Sequence, residues 1–298
     1  MHPAVLSFWL ASPEADPTSQ EAWRKQTSEI TQAAAGGSWW GTITSEPGSG
    51  GDITRTKAIA RPDGPNGQYL LSGQKHFGSG SGITSYMITT ALPEGEEQPD
   101  LFFLDMRDVP WDGSRGAKLT AEWDGHGMIA TQSHGMAFED FPATRAAWPR
   151  NLQRLALSAG PYVASSFSAV IVGIVEAALD AAQRQLGPKH ESLRAYEQVE
   201  WSRAELEAWL IEQAYEGMLC AVEQDRDSLR SVVQGKTAIA ELAESCLTRI
   251  CKIMGGGTFN RHSPFGFWFE DVRALGFLRP PCGLAFDQLF ATSPVHGD

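Results

Sequence analysis

Residues 45–52 read Ser-Glu-Pro-Gly-Ser-Gly-Gly-Asp, and residues 71–82 read Leu-Ser-Gly-Gln-Lys-His-Phe-Gly-Ser-Gly-Ser-Gly. Each stretch sets small hydroxyl residues (Ser45, Ser49, Ser79) beside glycines that let the backbone come close to a flat ligand. Phe77 adds a ring to lie against it. Between them runs a β-like segment that includes Gln68 to Gly73, so the two turns bracket a strand rather than a helix. Either stretch alone is only a turn; the ordered pair is the feature from which the rest of the chain is read.

A third stretch lies downstream, from Met254 to Leu275: MGGGTFNRHSPFGFWFEDVRAL. The three landmarks in this order resemble the acyl-CoA dehydrogenase superfamily. Its middle domain has a Thr/Ser-Glu-Pro-Gly-x-Gly-x-Asp turn followed by a Gly-x-Lys-x-(Trp/Phe)-x-(Ser/Thr) strand. Its C-terminal domain has a Gly-Gly-x-Gly-(Tyr/Phe) turn, then a Pro and an Asp-x-Arg, here Pro264, Asp271 and Arg273. The resemblance covers the chain from about Trp39 onward.

The pattern of the intervening sequence agrees. Thr18 to Glu21 has the spacing of a capping box, which predicts a helix over EAWRKQTSEITQAAA that stops at Gly36-Gly37. From Ser38 to about Pro149, short runs (QYLLSG, SYMITTAL, DLFFLDM, SHGMAFEDF) separated by Pro, Gly and Asp predict strands. From Leu152 to Met254, apolar residues recur at three- and four-residue spacing, as at Ile174, Ala177, Ala178 and Ala181, and predict long bundle helices with breaks near Gly187-Pro188 and Asp225–Asp227. The expected fold is α+β and acyl-CoA dehydrogenase-like. Residues 1–38 stand for a remnant of the family's N-terminal helical domain, 39–149 for a middle β-barrel that binds flavin, and 150–298 for a C-terminal four-helix bundle.

Composition narrows the partners. A net charge of −12 disfavours nucleic acid and anionic membrane, both of which attract basic surfaces. Cys220, Cys246, Cys251 and Cys282 fit no metal-ligand spacing and form no dense disulfide framework, so reduced thiols in a cytoplasm are expected, and no metal. No targeting segment or membrane-spanning run is expected either. Bundle helices this long and apolar imply self-association, and the resemblance implies a homodimer or homotetramer.

The resemblance also implies a cofactor site. Thr42, Thr44 and Ser45 would lie along the flavin ring, Gly50 and Gly51 at its diphosphate side, Phe77 against the ring, and Ser79 near the reactive ring nitrogen N5. Lys252, Gly255 and Gly256 would approach the flavin of a neighbouring subunit. Lys252 stands where the family has Gln, and QRQLG (Gln183 to Gly187) matches the family's Arg-x-x-Phe-Gly only with Arg184 displaced by one place. The implied cofactor is therefore FAD, with FMN or a freely exchanged reduced flavin left open.

The family's dehydrogenases use a Glu to remove the α-proton of an acyl thioester such as an acyl-CoA, while hydride passes to the flavin. This sequence brings Arg279 to one of the two positions that hold that Glu and Gln153 to the other, and neither side chain serves as a base at neutral pH. The superfamily's flavin-dependent monooxygenases need no such base, and His-Phe-Gly-Ser-Gly (76–80) is closer to their pattern. Arg279 remains the one candidate for a catalytic group, as a cation facing a small-molecule substrate; His76 and His262 are unassigned imidazoles. The expectation is a flavin-dependent oxidoreductase with an unorthodox site. The alternative is a non-catalytic homologue kept for binding or assembly. A dinucleotide-binding reading of Gly-Ser-Gly-Gly-Asp-Ile fails, since no parallel βαβ unit surrounds it.

Overall fold

Tyr86 to Ala91 and Leu101 to Leu104 carry apolar or uncharged residues at nearly every position, and strands of that composition need cover on both faces. The computed structural model describes residues 1–50, 52–64, 67–224, 228–278, 280–293 and 295. Two helices, α1 (His2–Leu10) and α2 (Gln20–Ala35), precede the strands β1 (Trp40–Thr42), β2 (Ile59–Pro62), β3 (Gln68–Gly78), β4 (Tyr86–Pro93), β5 (Asp100–Asp105), β6 (Ala117–Ala121) and β7 (His134–Arg145). The helices α3 (Leu152–Leu186), α4 (Ala195–Glu223), α5 (Ser228–Met254), α6 (Pro264–Arg273) and α7 (Cys282–Ala291) follow. The chain divides into two compact units, Met1–Asp124 with Ile129–Val163, and Gly125–Met128 with Ala164–Asp298.

In the first unit the sheet closes on itself, because β4, β2, β3, β7 and β5 are neighbours in turn and β5 pairs again with β4. Closure leaves no open edge among those five strands. Alternate residues of β4 and β5 face opposite ways: Met87, Phe102 and Leu104 fill the barrel with Leu71, Met136 and Phe138. Ile88 and Leu101 point outward, where Trp9, Trp23, Trp40 and Trp148 cover them. Trp40, 1 % exposed, stacks on Tyr86 with ring centroids 4.6 Å apart.

β5 occupies one edge of β4, and both β1 and β2 use the other, pairing with Tyr86 to Ile88 and with Leu92 and Pro93 respectively. The chain from 43 to 58 is thus an excursion between two strands that share an edge. That excursion carries the first Gly-rich turn.

Two local expectations change. α1 was not foreseen, since its apolar residues show no clear three- or four-residue period. α2 is not capped by Thr18: Ser19 is its N-cap, and the Asp16 carboxylate accepts the N–H groups of Thr18 and Ser19 at 3.1 and 3.2 Å. An acid with two acceptor oxygens upstream displaces the hydroxyl.

The second unit is helical, with Ile171, Val175, Ala178, Ile211, Ile239, Leu247 and Ile250 in its core. Among the described residues, one helical stretch, Leu152–Ser192, is long and apolar enough to cross a membrane by length and composition. The sequence reading missed it because Gly, Ser and Ala dilute the run. Its Ile171, Val175, Ala178 and Ala182 belong to the helical core, and 39 % of that apolar window is buried within the chain.

Lys236 on α5 is fully buried, donating to the carbonyls of Leu275 at 2.9 Å and Pro280 at 2.8 Å. Among the described residues it has no carboxylate partner. Burial pushes its pKa down from 10.5 to about 8, opposed by the nearby Cys282 sulfur. Below the folded value both states are charged and the fold carries the cost; between the two values the unfolded chain holds more protons, so stability rises with pH. Wild type is therefore expected to gain urea stability relative to Lys236→Met from about pH 8 to about pH 10. A difference that stays constant over that window would contradict this.

Candidate functional site

The excursion from β1 begins at Ile43, which is fully buried; its N–H donates to Ile88 O at 2.8 Å and its carbonyl accepts the Thr89 hydroxyl at 2.7 Å. From this anchor Thr42 and Ser45 meet the end of β3. Thr42 N donates to Ser79 O at 3.3 Å, and His76 N donates to Ser45 O at 2.8 Å. The two stretches singled out in the sequence are thus stitched to each other directly. Thr44 is buried and Ser45 half-buried beside it.

A buried ion pair fixes the junction. Lys75 Nζ lies 2.5 Å from Glu46 Oε1, with the lysine side chain fully buried and the glutamate 4 % exposed. Lys75 also donates to Thr90 O at 2.6 Å and to the Thr56 hydroxyl. Glu46 accepts from Thr56 and from the backbone N–H groups of Lys57 at 2.6 Å and Ala58 at 3.2 Å. Burial alone would raise the Glu46 pKa; Lys75, Thr56 and the Lys57 N–H together outweigh it and hold the carboxyl low. The turn's other acid, Asp52, accepts the N–H and hydroxyl of Thr54 at 2.8 and 2.7 Å. Both carboxylates of this turn are committed to structure.

Beyond the ion pair, β3 ends irregularly. Its register against β7 shifts between Lys75 and Gly78, and Phe77 adopts φ +54°, a left-handed conformation that side chains rarely take. Phe77 is 59 % exposed. Strain combined with an exposed aromatic marks a surface shaped for a ligand. Trp123 meets that ring edge-on at 6.0 Å, and its backbone N–H donates to His134 Nδ1 at 2.8 Å. A Cβ at Gly78 would stand 2.6 Å from Ser81 Oγ and 2.8 Å from Ile43 Cδ1, so any larger residue there would have to displace both side chains. Gly50, at φ +63°, has nothing within 4 Å of a Cβ and leaves open space on its side of the turn.

Ser79 Oγ lies 2.9 Å from Ser133 Oγ, which lies 2.7 Å from Thr131 Oγ1. Gly80 N donates to Thr131 O at 2.8 Å and docks this segment on the end of β3. An exposed ring, a row of hydroxyls and open glycines suit a flat heteroaromatic group with polar edges. Sequence reasoning quoted Glu46 and Lys75 without giving them a role; it read Trp123 to Gly135 as a structural loop, with the lining of a substrate mouth as the alternative, and named none of Trp123, Thr131, Ser133 and His134 singly. Their signal lay in the WDGHGMIATQSHG stretch, whose Gly and Ser content reads equally well as a loop.

No protein-family model matches the chain. It is 26% identical to dibenzothiophene monooxygenase of Mycolicibacterium goodii, over 89% of this chain and 68% of that protein. It is 24% identical to amino sugar nitrososynthase RubN8 of Streptomyces rubradiris, over 77% of this chain and 57% of that protein. Among solved structures it superposes on KijD3 in complex with FMN and dTDP-3-amino-2,3,6-trideoxy-4-keto-3-methyl-D-glucose with TM-score 0.75 and 23% identity, covering 90% of this chain and 68% of that one. Butyryl-CoA dehydrogenase of Megasphaera elsdenii gives TM-score 0.75 and 18% identity, over 91% of this chain and 71% of that one. The chain has the acyl-CoA dehydrogenase fold.

Within the acyl-CoA dehydrogenase fold the remaining expected residues can be placed. In the second unit Lys252 is exposed on the last turn of α5. Gly255, at φ +75°, ends that helix with its N–H on Cys251 O at 3.0 Å, and Gly256 opens a short 3-10 turn. Arg184 is exposed on the last turn of α3. Next to the glycines is a depression of about 340 Å³ lined by Gln185, Met254, Thr258, Asn260, His262 and Phe265. Gln153 is exposed on the first turn of α3, and His76 is half-buried in β3. Gly51 and Arg279 lie outside the described residues.

Proposed function

We propose that this chain is a flavin-dependent oxidoreductase of the monooxygenase kind, which transfers one atom of molecular oxygen to a nitrogen or sulfur atom of a small organic molecule. The observation that carries the reading is the state of the two acids in the flavin-side turn: Glu46 is locked to Lys75 and Asp52 to Thr54. Neither is free to take an α-proton, and Gln153 and Arg279 supply no replacement. The relatives named above, a dibenzothiophene monooxygenase and an amino sugar nitrososynthase, favour a heteroatom over a thioester carbon.

A bound flavin would supply the two-electron chemistry with oxygen. The chain's own residues do the rest. Phe77 offers its face to the ring, and Thr44, Ser45 and Ser79 offer hydroxyl and backbone groups to its polar edge. Trp123 walls the side of Phe77 and limits access of water. FAD is the proposed form, with FMN the alternative.

Self-association belongs to this proposal, since the resemblance brings Lys252, Gly255 and Gly256 to the flavin of another copy. α4 buries Ala204, Ala208, Ile211 and Met218, yet it also exposes Tyr196, Val199, Leu206, Trp209 and Leu210. Large apolar side chains left exposed on one helix want a second cover. The four cysteines are free, in keeping with the proposed cytoplasmic location.

The test is a titration of purified protein with FMN and with FAD, followed in the visible flavin band, on a sample whose mass is read by light scattering. Saturable binding to a particle of at least two chains is expected. Binding of neither flavin would overturn the proposal and leave the non-catalytic homologue.

A further inference from the structure

The hydroxyl row behind Ser79 belongs to no motif and was assigned no task above. Ser133 is 9 % exposed and sits between two other hydroxyls, Ser79 at 2.9 Å and Thr131 at 2.7 Å. A hydroxyl has one proton and two lone pairs, so Ser133 can donate to only one of these neighbours. When Ser79 turns its proton outward, Ser133 must donate to Ser79 and accept from Thr131. When an outside group donates to Ser79, the whole row can reverse.

The row is held rigidly enough for this to matter. Gly80 N on Thr131 O at 2.8 Å and His134 N on Gln132 O at 2.8 Å fix the backbone on which Thr131 and Ser133 sit. Gly78 of β3 is in register with His134 of β7. In such a row each bond polarises the next, so a change at its buried middle is felt at its outer end.

We propose that Ser133 is a positioning residue for the flavin: through its hydroxyl it sets the direction and strength of the hydrogen bond that Ser79 makes to the ring edge. This rests on the flavin reading above. A flavin ring edge presents an acceptor nitrogen when oxidised and an N–H when reduced. A reversible hydroxyl row serves both states without moving a backbone atom, which a fixed N–H donor cannot do.

Dissociation constants for FMN and FAD are to be measured by titration for the wild type, Ser79→Ala, Ser133→Ala and the double variant, with thermal midpoints confirming that each is folded. Loss of one such hydrogen bond is expected to weaken binding by about fivefold to tenfold in either single variant. The double variant is expected to be weaker than the single ones by no more than about twofold, because both remove the same interaction. A shift of the visible flavin band in Ser133→Ala, in the same direction as in Ser79→Ala, is the accompanying signature. Wild-type affinity in Ser133→Ala, or additive losses in the double variant, would overturn the proposal. If Ser133→Ala does not fold, Thr131→Val cuts the row one link further out: a smaller loss of flavin affinity supports it and an unchanged affinity overturns it. Failure of the wild type itself to bind flavin removes the flavin reading and this inference together, a result distinct from a binding wild type with an indifferent Ser133.

Discussion

Lys75→Met is expected to lower the stability of the first unit by about 3–5 kcal/mol in urea unfolding, because it strands a buried carboxylate. Glu46 is 4 % exposed, and its partner at 2.5 Å is the cation that removal would delete. The hydroxyl of Thr56 and two backbone N–H groups remain to the carboxylate, which places the loss toward the lower end of the range. Lys75→Met/Glu46→Gln is expected to regain more than half of it, since a neutral amide no longer carries the cost of a buried charge. The flavin turn is expected to loosen with it: Ser45 and His76, one residue outside each partner, share the backbone bond that joins the two stretches. A loss below about 1 kcal/mol in the single variant, the level of an exposed ion pair, would mean that the pair is not the clamp described here.

An acyl-CoA thioester is expected to leave the bound flavin oxidised when mixed without oxygen. A positioned base contributes about 10²–10⁴-fold to proton removal, and the acids of the flavin-side turn are both committed elsewhere. Bleaching of the visible band should fall short of a competent dehydrogenase by at least that factor. Rapid bleaching by a short or medium acyl-CoA would restore the dehydrogenase reading and would require a carboxylate from elsewhere in the chain.

The barrel was legible because its longest strands contain apolar-rich runs set off by Pro, Gly and Asp: QYLLSG, SYMITTAL, DLFFLDM and SHGMAFEDF became β3, β4, β5 and β7. β1, β2 and β6, with three to five residues each, were not, because a strand that short shows no period of its own and is set by the neighbour it pairs with. The helical half followed the same rule, with α3, α4 and α5 visible from their spacing and α1 hidden in an apolar start. At the site, Thr42, Ser45, Phe77 and Ser79 could be named from sequence because they sit inside recognisable turns. Ser133 and Trp123 could not, since what brings them to Phe77 and Ser79 is the pairing of β7 with β3 across more than fifty residues. The Lys75–Glu46 pair was in plain view as residues but not as a contact: Lys in a strand reads as a solvated charge until its burial is known.

Under the proposed function, the chemistry is oxygen transfer at a heteroatom in place of hydride abstraction at carbon. The most direct measurement mixes the protein carrying reduced flavin with ¹⁸O-labelled oxygen and a panel of aryl thioethers and primary amines, and weighs the products. One labelled oxygen atom in a sulfoxide or hydroxylamine product, with the other released as water, is the result expected. Reoxidation that yields only hydrogen peroxide across the panel, together with flavin reduction by an acyl-CoA, would contradict it.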